Sequence, residues 1–422
     1  MINLLGPIMA GRLGTVEVAA LGLGYQIFFL YWLFLLGICA GGSVFAAQFW
    51  GKGDIPGLRR NLGLCITLSS VWAVVFTLLA LLIPETLIGF YSRDSEVIKA
   101  GADYLRILSF SFFPYALSFA FTISLRSVER VKLAFASTVI ACSINVLLSY
   151  LFIFGTSSTP AMGVKGAALA TVISRLIEAV ILLTVSYAKK YVISGSLKEL
   201  FSFTRSFVHR FFRISTPLII EEMLWSFGIT MQSVIFARTS TDAIAAFNIT
   251  NTVSTFTWVL FIGLGNAAGV LVGKKIGEGD EKSARDYAWR ITRFSPLLAV
   301  GGGMLLFPLS RFLPLIFRVN PETLAAASQL FIILCLAYPL KALNQALVVG
   351  VFRAGGDSVF CALYDIGTMW LTGLPLAALA AFTQAPIWLI YLCIIVEEPC
   401  KAIVGLWRLK SGKWLHNVTS RL

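Results

Sequence analysis

Two adjacent carboxylates, Glu221 and Glu222, stand in an apolar run one helical turn after Pro217. A third, Asp365, stands in another run, shortly before Trp370, Gly373 and Pro375. An ionisable side chain inside hydrocarbon is costly and calls for a wet cavity, a partner or a function. The chemistry open to such groups is reversible cation exchange, because burial favours the neutral acid and a nearby cation favours the ionised one. Consecutive helical residues point about 100° apart, so one of Glu221 and Glu222 can face a cavity while the other packs. The competing reading for each acid is a structural hydrogen bond between helices. Lys341 follows Pro339 in a third run, with Asn344 and Gln345 in the next turn. Its ammonium either snorkels or pairs with Asp365, Glu221 or Glu222. Left unpaired in a cavity, it would favour anionic, zwitterionic or neutral cargo.

Amides and aromatics complete the candidate set. Asn145 lies between Cys142 and Ser149 within a span, and Asn248 and Asn251 lie one turn apart. An amide can join helices or coordinate an ion through its oxygen. Tyr31 and Trp225 are candidates for holding a flat amphiphile, among 33 phenylalanines that mostly face lipid or pack. The expected coupling residues are thus Glu222, Asp365 and Glu221. The expected substrate-cavity residues are Lys341, Asn145, Asn248, Asn251, Tyr31 and Trp225. His209 and His416 fall in polar segments, and the seven cysteines occur singly without metal-finger or redox spacing. With no nucleophile triad, an enzyme, a metal or an organic cofactor is not expected; the only small ion called for is a coupling H+ or Na+.

The elements that must position these groups are apolar helices. Of the 422 residues 58% are hydrophobic and only 13% charged, and the apolar runs repeatedly reach the ~20 residues that cross a bilayer. Spans are expected at 20–47, 62–84, 100–123, 133–154, 164–186, 211–237, 244–272, 290–311, 325–348, 359–381 and 384–400. The net charge of +13 would suggest nucleic acid in a soluble chain. Here it is placed between spans: Lys52, Arg59 and Arg60; Arg126, Arg130 and Lys132; the basic residues from Lys189 to Arg213 and from Lys274 to Arg293; and Arg353 and Lys401 all fall on one side. Segment 155–163 is uncharged. The positive-inside rule puts the basic side and the C-terminus in the cytoplasm, and no nucleic-acid partner is expected. The exceptions Arg93, Lys99, Arg311 and Arg318 do not reverse the count.

The chain also repeats itself. Arg12, Ala19-Ala20, Gly37, Gly51, Gly53, Asp54 and Arg59 are answered at constant offset by Arg238, Ala245-Ala246, Gly263, Gly277, Gly279, Asp280 and Arg285. Six spans separate equivalent positions, so the halves share one orientation and are parallel repeats. The GKGD at 51–54 and GEGD at 277–280 lack the strand and GK[ST] ending of a phosphate loop; they read as helix stops and turns. Domains are expected as an N-terminal lobe at 1–186, a charged, Ser-rich cytoplasmic linker at 187–210, a C-terminal lobe at 211–408 and a tail at 409–422. Because residue 1 pairs with residue 227, the middle of a span, the first helix looks truncated.

With MAGRLGT at 9–15, AAQFWGKGD at 46–54, LRSVER at 125–130, GVKGAALATVISR at 163–175, GLGNAAGVLVGKKIGEGD at 263–280 and FRAGGDS at 352–358, the chain resembles the multidrug and toxic compound extrusion family, in particular its bacterial members. The resemblance spans essentially the whole chain. It implies an all-α polytopic membrane fold of two six-helix bundles in a V, cation-driven export, and amphiphilic organic cations as usual cargo. It also implies a wider relationship to lipid-linked sugar flippases. Members often carry a carboxylate near Glu222. Two departures stand out: Gly6 occupies the place of the first-span acid, with Gln232 as its repeat-mate, and Ala342 occupies the place of an acid in other branches. Coupling is therefore expected in the second lobe.

The expected function is secondary active efflux of amphiphilic compounds by alternating access, from a multi-pass monomer in the bacterial inner membrane. Its partners would be small amphiphiles and membrane lipid. The alternatives are a flippase for a lipid-linked or polyisoprenoid substrate and a non-transporting membrane scaffold.

Overall fold

In the computed structural model, residues 14–155, 160–306 and 319–420 are described. Asn3, Gly6, Arg12, Arg311 and Arg318 lie outside them. The described chain folds into helices joined by short turns, in two compact units. One comprises the chain through Ala46 and Ile55–His209; the other comprises Ala47–Asp54 and Arg210–Leu422. Among the described residues eight helices are long and apolar enough to cross a bilayer, or nine if one bent pair counts as a single span.

The first unit contains most of α1 (Thr15–Lys52), then α2 (Ile55–Leu82), α3 (Pro84–Gly89), α4 (Ser95–Ser109), α5 (Phe112–Ser127), α6 (Val131–Phe154), α7 (Val164–Ala188) and the single turn α8 (Leu197–Leu200). The expected span 100–123 is two helices, α4 and α5, bent by 52°. Pro114 has no N–H for the carbonyl of Phe110, so the helical ladder breaks there. The core is aromatic: Tyr31 is fully buried, stacks on Phe112 at 4.8 Å between centroids and donates its hydroxyl to the Phe112 carbonyl at 2.7 Å. The linker is docked on this unit. Arg59 donates to the Val192 carbonyl and pairs with Glu199, both at 2.9 Å. Ser196 and Glu199 form a capping box. The Ser196 N–H, helped by Arg59, holds the Glu199 carboxyl below its ordinary range.

The second unit is built on α9 (Arg205–Thr239), α10 (Thr241–Gly277), α11 (Glu281–Leu306) and α12 (Pro321–Gln345), which continues into a π-helical turn at Ala346–Arg353. After the FRAGGDS turn come α13 (Ser358–Thr368), a second π-helical turn at Met369–Gly373, α14 (Leu374–Phe382), α15 (Ile387–Ile395) and α16 (Glu397–Ser411). The expected span 384–400 is broken at Val396. Pro399 cannot donate to the carbonyl of Ile395, which ends α15, while a proline is tolerated in the first turn of α16. The expected span 290–311 runs past the described residues, and its helix α11 begins well before it, at Glu281.

Segment 412–420 is packed against this unit rather than trailing from it. His416 N donates to the Gly355 carbonyl and Val418 N to Gln48 Oε1, both at 2.8 Å, and Lys52 reaches the Thr419 carbonyl at 3.1 Å. Trp414 is fully buried beneath them. The repeat-mates Gly53 and Gly279 adopt the left-handed conformation, φ 73° and 78°, that ends α1 and α10.

Candidate functional site

The second unit gathers five carboxylates and three cations from α9, α12, α13 and α16. Glu221 and Glu222 on α9 share one guanidinium: Arg353 Nη2 lies 2.7 Å from Glu221 Oε1 and Nη1 lies 2.9 Å from Glu222 Oε1. Cys361 Sγ also approaches Glu221 Oε1, at 3.9 Å. Asp365 Oδ1 holds Lys401 Nζ at 2.8 Å, with Glu397 Oε1 at 3.7 Å from the same ammonium. Glu398 Oε1 holds Lys341 Nζ at 2.9 Å, and its Oε2 accepts from Asn344 Nδ2 at 2.8 Å. Tyr364 steadies that amide by donating to Asn344 Oδ1 at 3.2 Å.

These groups border a cavity of about 500 Å³ within the second unit. Its charged wall is Lys341, Asp365, Glu397, Glu398 and Lys401; Asn248 and Asn251 of α10 face it, as do Trp225 and Trp258. The wall carries three carboxylates against two ammonium groups. Such an excess in a low-dielectric cleft draws cations inward, and the indoles offer π faces for an organic cation. Both π-helical turns serve this region. The first ends at Arg353, and the second brings Met369 to the cavity wall.

Several sequence expectations land elsewhere. Glu221 and Glu222 do not divide between cavity and packing. Both are buried, at 0% and 8% exposure, outside the cavity lining, because one arginine holds them together. Lys341 neither snorkels nor pairs with Asp365, Glu221 or Glu222; its partner is Glu398, on α16. Tyr31 is packed into the aromatic core of the first unit and is not part of the cavity wall of the second, because both its ring and its hydroxyl are used in packing. Asn145 is buried between α6 and α7 and donates to Ser174 Oγ at 3.1 Å and Thr171 Oγ1 at 3.3 Å, a helix-to-helix tie. Asp365, Asn248, Asn251 and Trp225 do meet at the cavity.

Arg353, Glu397, Glu398 and Lys401 were missed. Arg353 and Lys401 read in sequence as loop cations, but they are buried and spent on ion pairs. The available signal was the Glu397 and Lys401 pair at i, i+4 in an apolar setting. The first unit hides a smaller pair: Arg175 Nη1 lies 2.8 Å from Glu178 Oε2, Thr138 donates to Glu178 Oε1 at 2.8 Å, and the guanidinium sits 4.3 Å over the Tyr115 ring. Among the described residues, no group of three or more His, Cys, Asp or Glu side chains is arranged to hold a metal ion.

The MatE family profile matches residues 1–151 and 217–379, well over half of the chain. The chain belongs to the MatE family. It is therefore a multi-pass membrane protein and a MATE-type secondary-active transporter rather than an enzyme. Among curated relatives, the probable multidrug resistance protein NorM of Agrobacterium fabrum is 28% identical over 393 residues, covering 89% of this chain and 82% of the relative. The uncharacterized transporter YisQ of Bacillus subtilis is 24% identical over 420 residues, covering 97% and 90%. The fold is that of solved MATE structures: one in complex with MaL6 superimposes with a TM-score of 0.89 at 17% identity, over 98% of this chain and 92% of that one. The eukaryotic MATE transporter AtDTX14 gives a TM-score of 0.82 at 17% identity, over 99% and 92%.

Proposed function

We propose that this MATE-family chain exports amphiphilic organic compounds, cations foremost, across the bacterial cytoplasmic membrane, driven by an inward proton or sodium gradient. The observation that carries the reading is the aromatic-walled cavity whose carboxylates outnumber its ammonium groups by one. Cargo and coupling cation need only compete for that excess charge and prefer different states of the transporter. Asp365 faces the cavity and exchanges directly. Glu222 and Glu221 act behind it, through Arg353. Similarity to relatives such as NorM, a probable multidrug resistance protein, agrees with this cargo class. An unpaired Lys341 would favour an anionic, lipid-linked cargo and so a flippase, but its ammonium is paired with Glu398. The working form in this reading is a monomer, and the placement of the basic residues supports a C-terminus in the cytoplasm.

The test is uptake of a fluorescent organic cation into proteoliposomes under imposed proton or sodium gradients. Gradient-dependent movement is expected, with a loss on the order of tenfold or more in Asp365→Asn and a smaller loss in Glu222→Gln. Absence of gradient-driven movement in folded, unsubstituted protein would sink the reading.

A further inference from the structure

The three carboxylates of the cavity wall are satisfied unequally. Glu398 uses both oxygens, one on Lys341 and one on Asn344. Asp365 holds Lys401 closely, at 2.8 Å. Glu397 has only the far side of that ammonium, 3.7 Å from Oε1, and its Oε2 is buried with no hydrogen-bond partner among the described residues. The Glu397 side chain is 7% exposed, yet it reaches the cavity lining. A buried carboxylate oxygen with no donor carries an uncompensated desolvation cost. A proton on that oxygen removes the cost and turns the acceptor into a donor.

The surroundings of Oε2 favour a proton over a metal ion. A Cβ built on Gly373, at the end of the second π-helical turn, would stand 3.2 Å from Glu397 Oε2 and 3.2 Å from the Ile394 carbonyl oxygen. The missing side chain thus leaves a small gap bordered by two acceptors. Two oxygens are too few to replace the hydration shell of a metal ion, whereas one proton on Oε2 supplies the donor that the gap lacks.

We propose that Glu397 is a proton-carrying carboxylate of the cavity and that Lys401 positions it, moving between Asp365 and Glu397 as the proton leaves and returns. The charged groups facing Glu397 are Lys401 and Glu398 on its own helix, Asp365 from α13 and Lys341 from α12. With Glu397 protonated, the remaining acids and bases of the wall match one for one. When the proton passes to cavity water, Lys401 is drawn toward Glu397, its hold on Asp365 loosens, and Asp365 becomes available to the positive head of a cargo. The use of this step in export rests on the function proposed above; the proton site itself stands on the geometry.

Infrared difference spectra of the purified chain in lipid, between mildly acidic and mildly alkaline buffer, read the site without cargo. A protonated carboxylic-acid carbonyl band is expected in the unsubstituted chain. It is lost in Glu397→Gln, moved but kept in Glu397→Asp, and kept in Asp365→Asn. In Lys401→Met a second acid band appears, because Asp365 loses its ammonium. A band that persists unchanged in Glu397→Gln, or the absence of any such band in the unsubstituted chain, overturns the proposal. Proteoliposome transport measured on the same preparation separates the two readings: movement without a Glu397 band defeats the proton site alone, and a Glu397 band without movement defeats export alone.

Discussion

Arg353→Met is expected to lower the stability of the folded chain by about 3–5 kcal/mol, the range for removing one partner of a buried ion pair. The guanidinium is 14% exposed and is the cation for two carboxylates whose side chains are 1% and 10% exposed. Its removal leaves both acids facing each other in a low-dielectric setting, where they must take up protons or drag water inward. Glu221→Gln alone should cost far less, because Arg353 keeps Glu222. The decisive arm is the triple substitution Arg353→Met, Glu221→Gln and Glu222→Gln, which removes every charge and should recover most of the loss. Thermal unfolding in detergent, followed by circular dichroism, measures all three. An Arg353→Met protein that melts with the unsubstituted chain would show that the triad contributes nothing to holding α9 against the FRAGGDS turn.

The same triad shows where sequence reading succeeds and where it stops. Apolar runs of sufficient length announce membrane helices, and the answering of Gly51 and Gly53 by Gly277 and Gly279 announces two repeats, because both signals are local or strictly periodic. The carboxylates Glu222 and Asp365 stand out because hydrocarbon makes any charge conspicuous. Their partners do not stand out. Arg353 and Lys401 sit just beyond apolar runs, where a loop cation and a buried counter-ion look alike. Only the tertiary fold brings Arg353 to α9 or Lys401 to α13. Tyr31 and Trp225 differ for a related reason: helices that are apolar on every side carry no periodic mark to separate a packed ring from a cavity ring. The breaks at Pro114 and Pro399 were readable in principle, since each proline removes a known backbone bond. Hydropathy alone smooths over them.

The pairing pattern also gives the two units different capacities for charge exchange. In the first, Glu178 is matched by Arg175 and further occupied by Thr138. In the second, one cavity-facing carboxylate remains in excess of the ammonium groups. The proposed coupling reaction uses the unit where the balance is incomplete, and the repeat has diverged in its chemistry while keeping its turns.

Those turns set the second large effect. Gly51 and Gly277 are repeat-mates at the ends of α1 and α10, and each meets the backbone of the other's helix. A Cβ on Gly51 would lie 1.9 Å from the Lys274 carbonyl oxygen, and a Cβ on Gly277 would lie 2.0 Å from the Gln48 carbonyl oxygen. Real contacts cannot be so short, and the obstacle is backbone, so the helix ends must move apart. Gly51→Ala and Gly277→Ala should each destabilise by about 1–3 kcal/mol, the cost of overpacking a close contact. Their effects should combine non-additively, because once the crossing is wedged open by one methyl the second meets less resistance. Gly53→Ala supplies the contrast: it strains a left-handed residue, at about 1–2 kcal/mol, but nothing stands within 4 Å of its Cβ. Its effect should therefore add to that of Gly277→Ala. Thermal unfolding of the single and paired variants distinguishes the cases. Strict additivity of Gly51→Ala with Gly277→Ala would mean that the two helix ends do not share one contact. The proposed export cycle would then lose its simplest account of the duplicated glycines: a crossing closed by symmetry-related bare backbone, held by the tail through Gln48 and Lys52, that must part each time this end of the second unit opens.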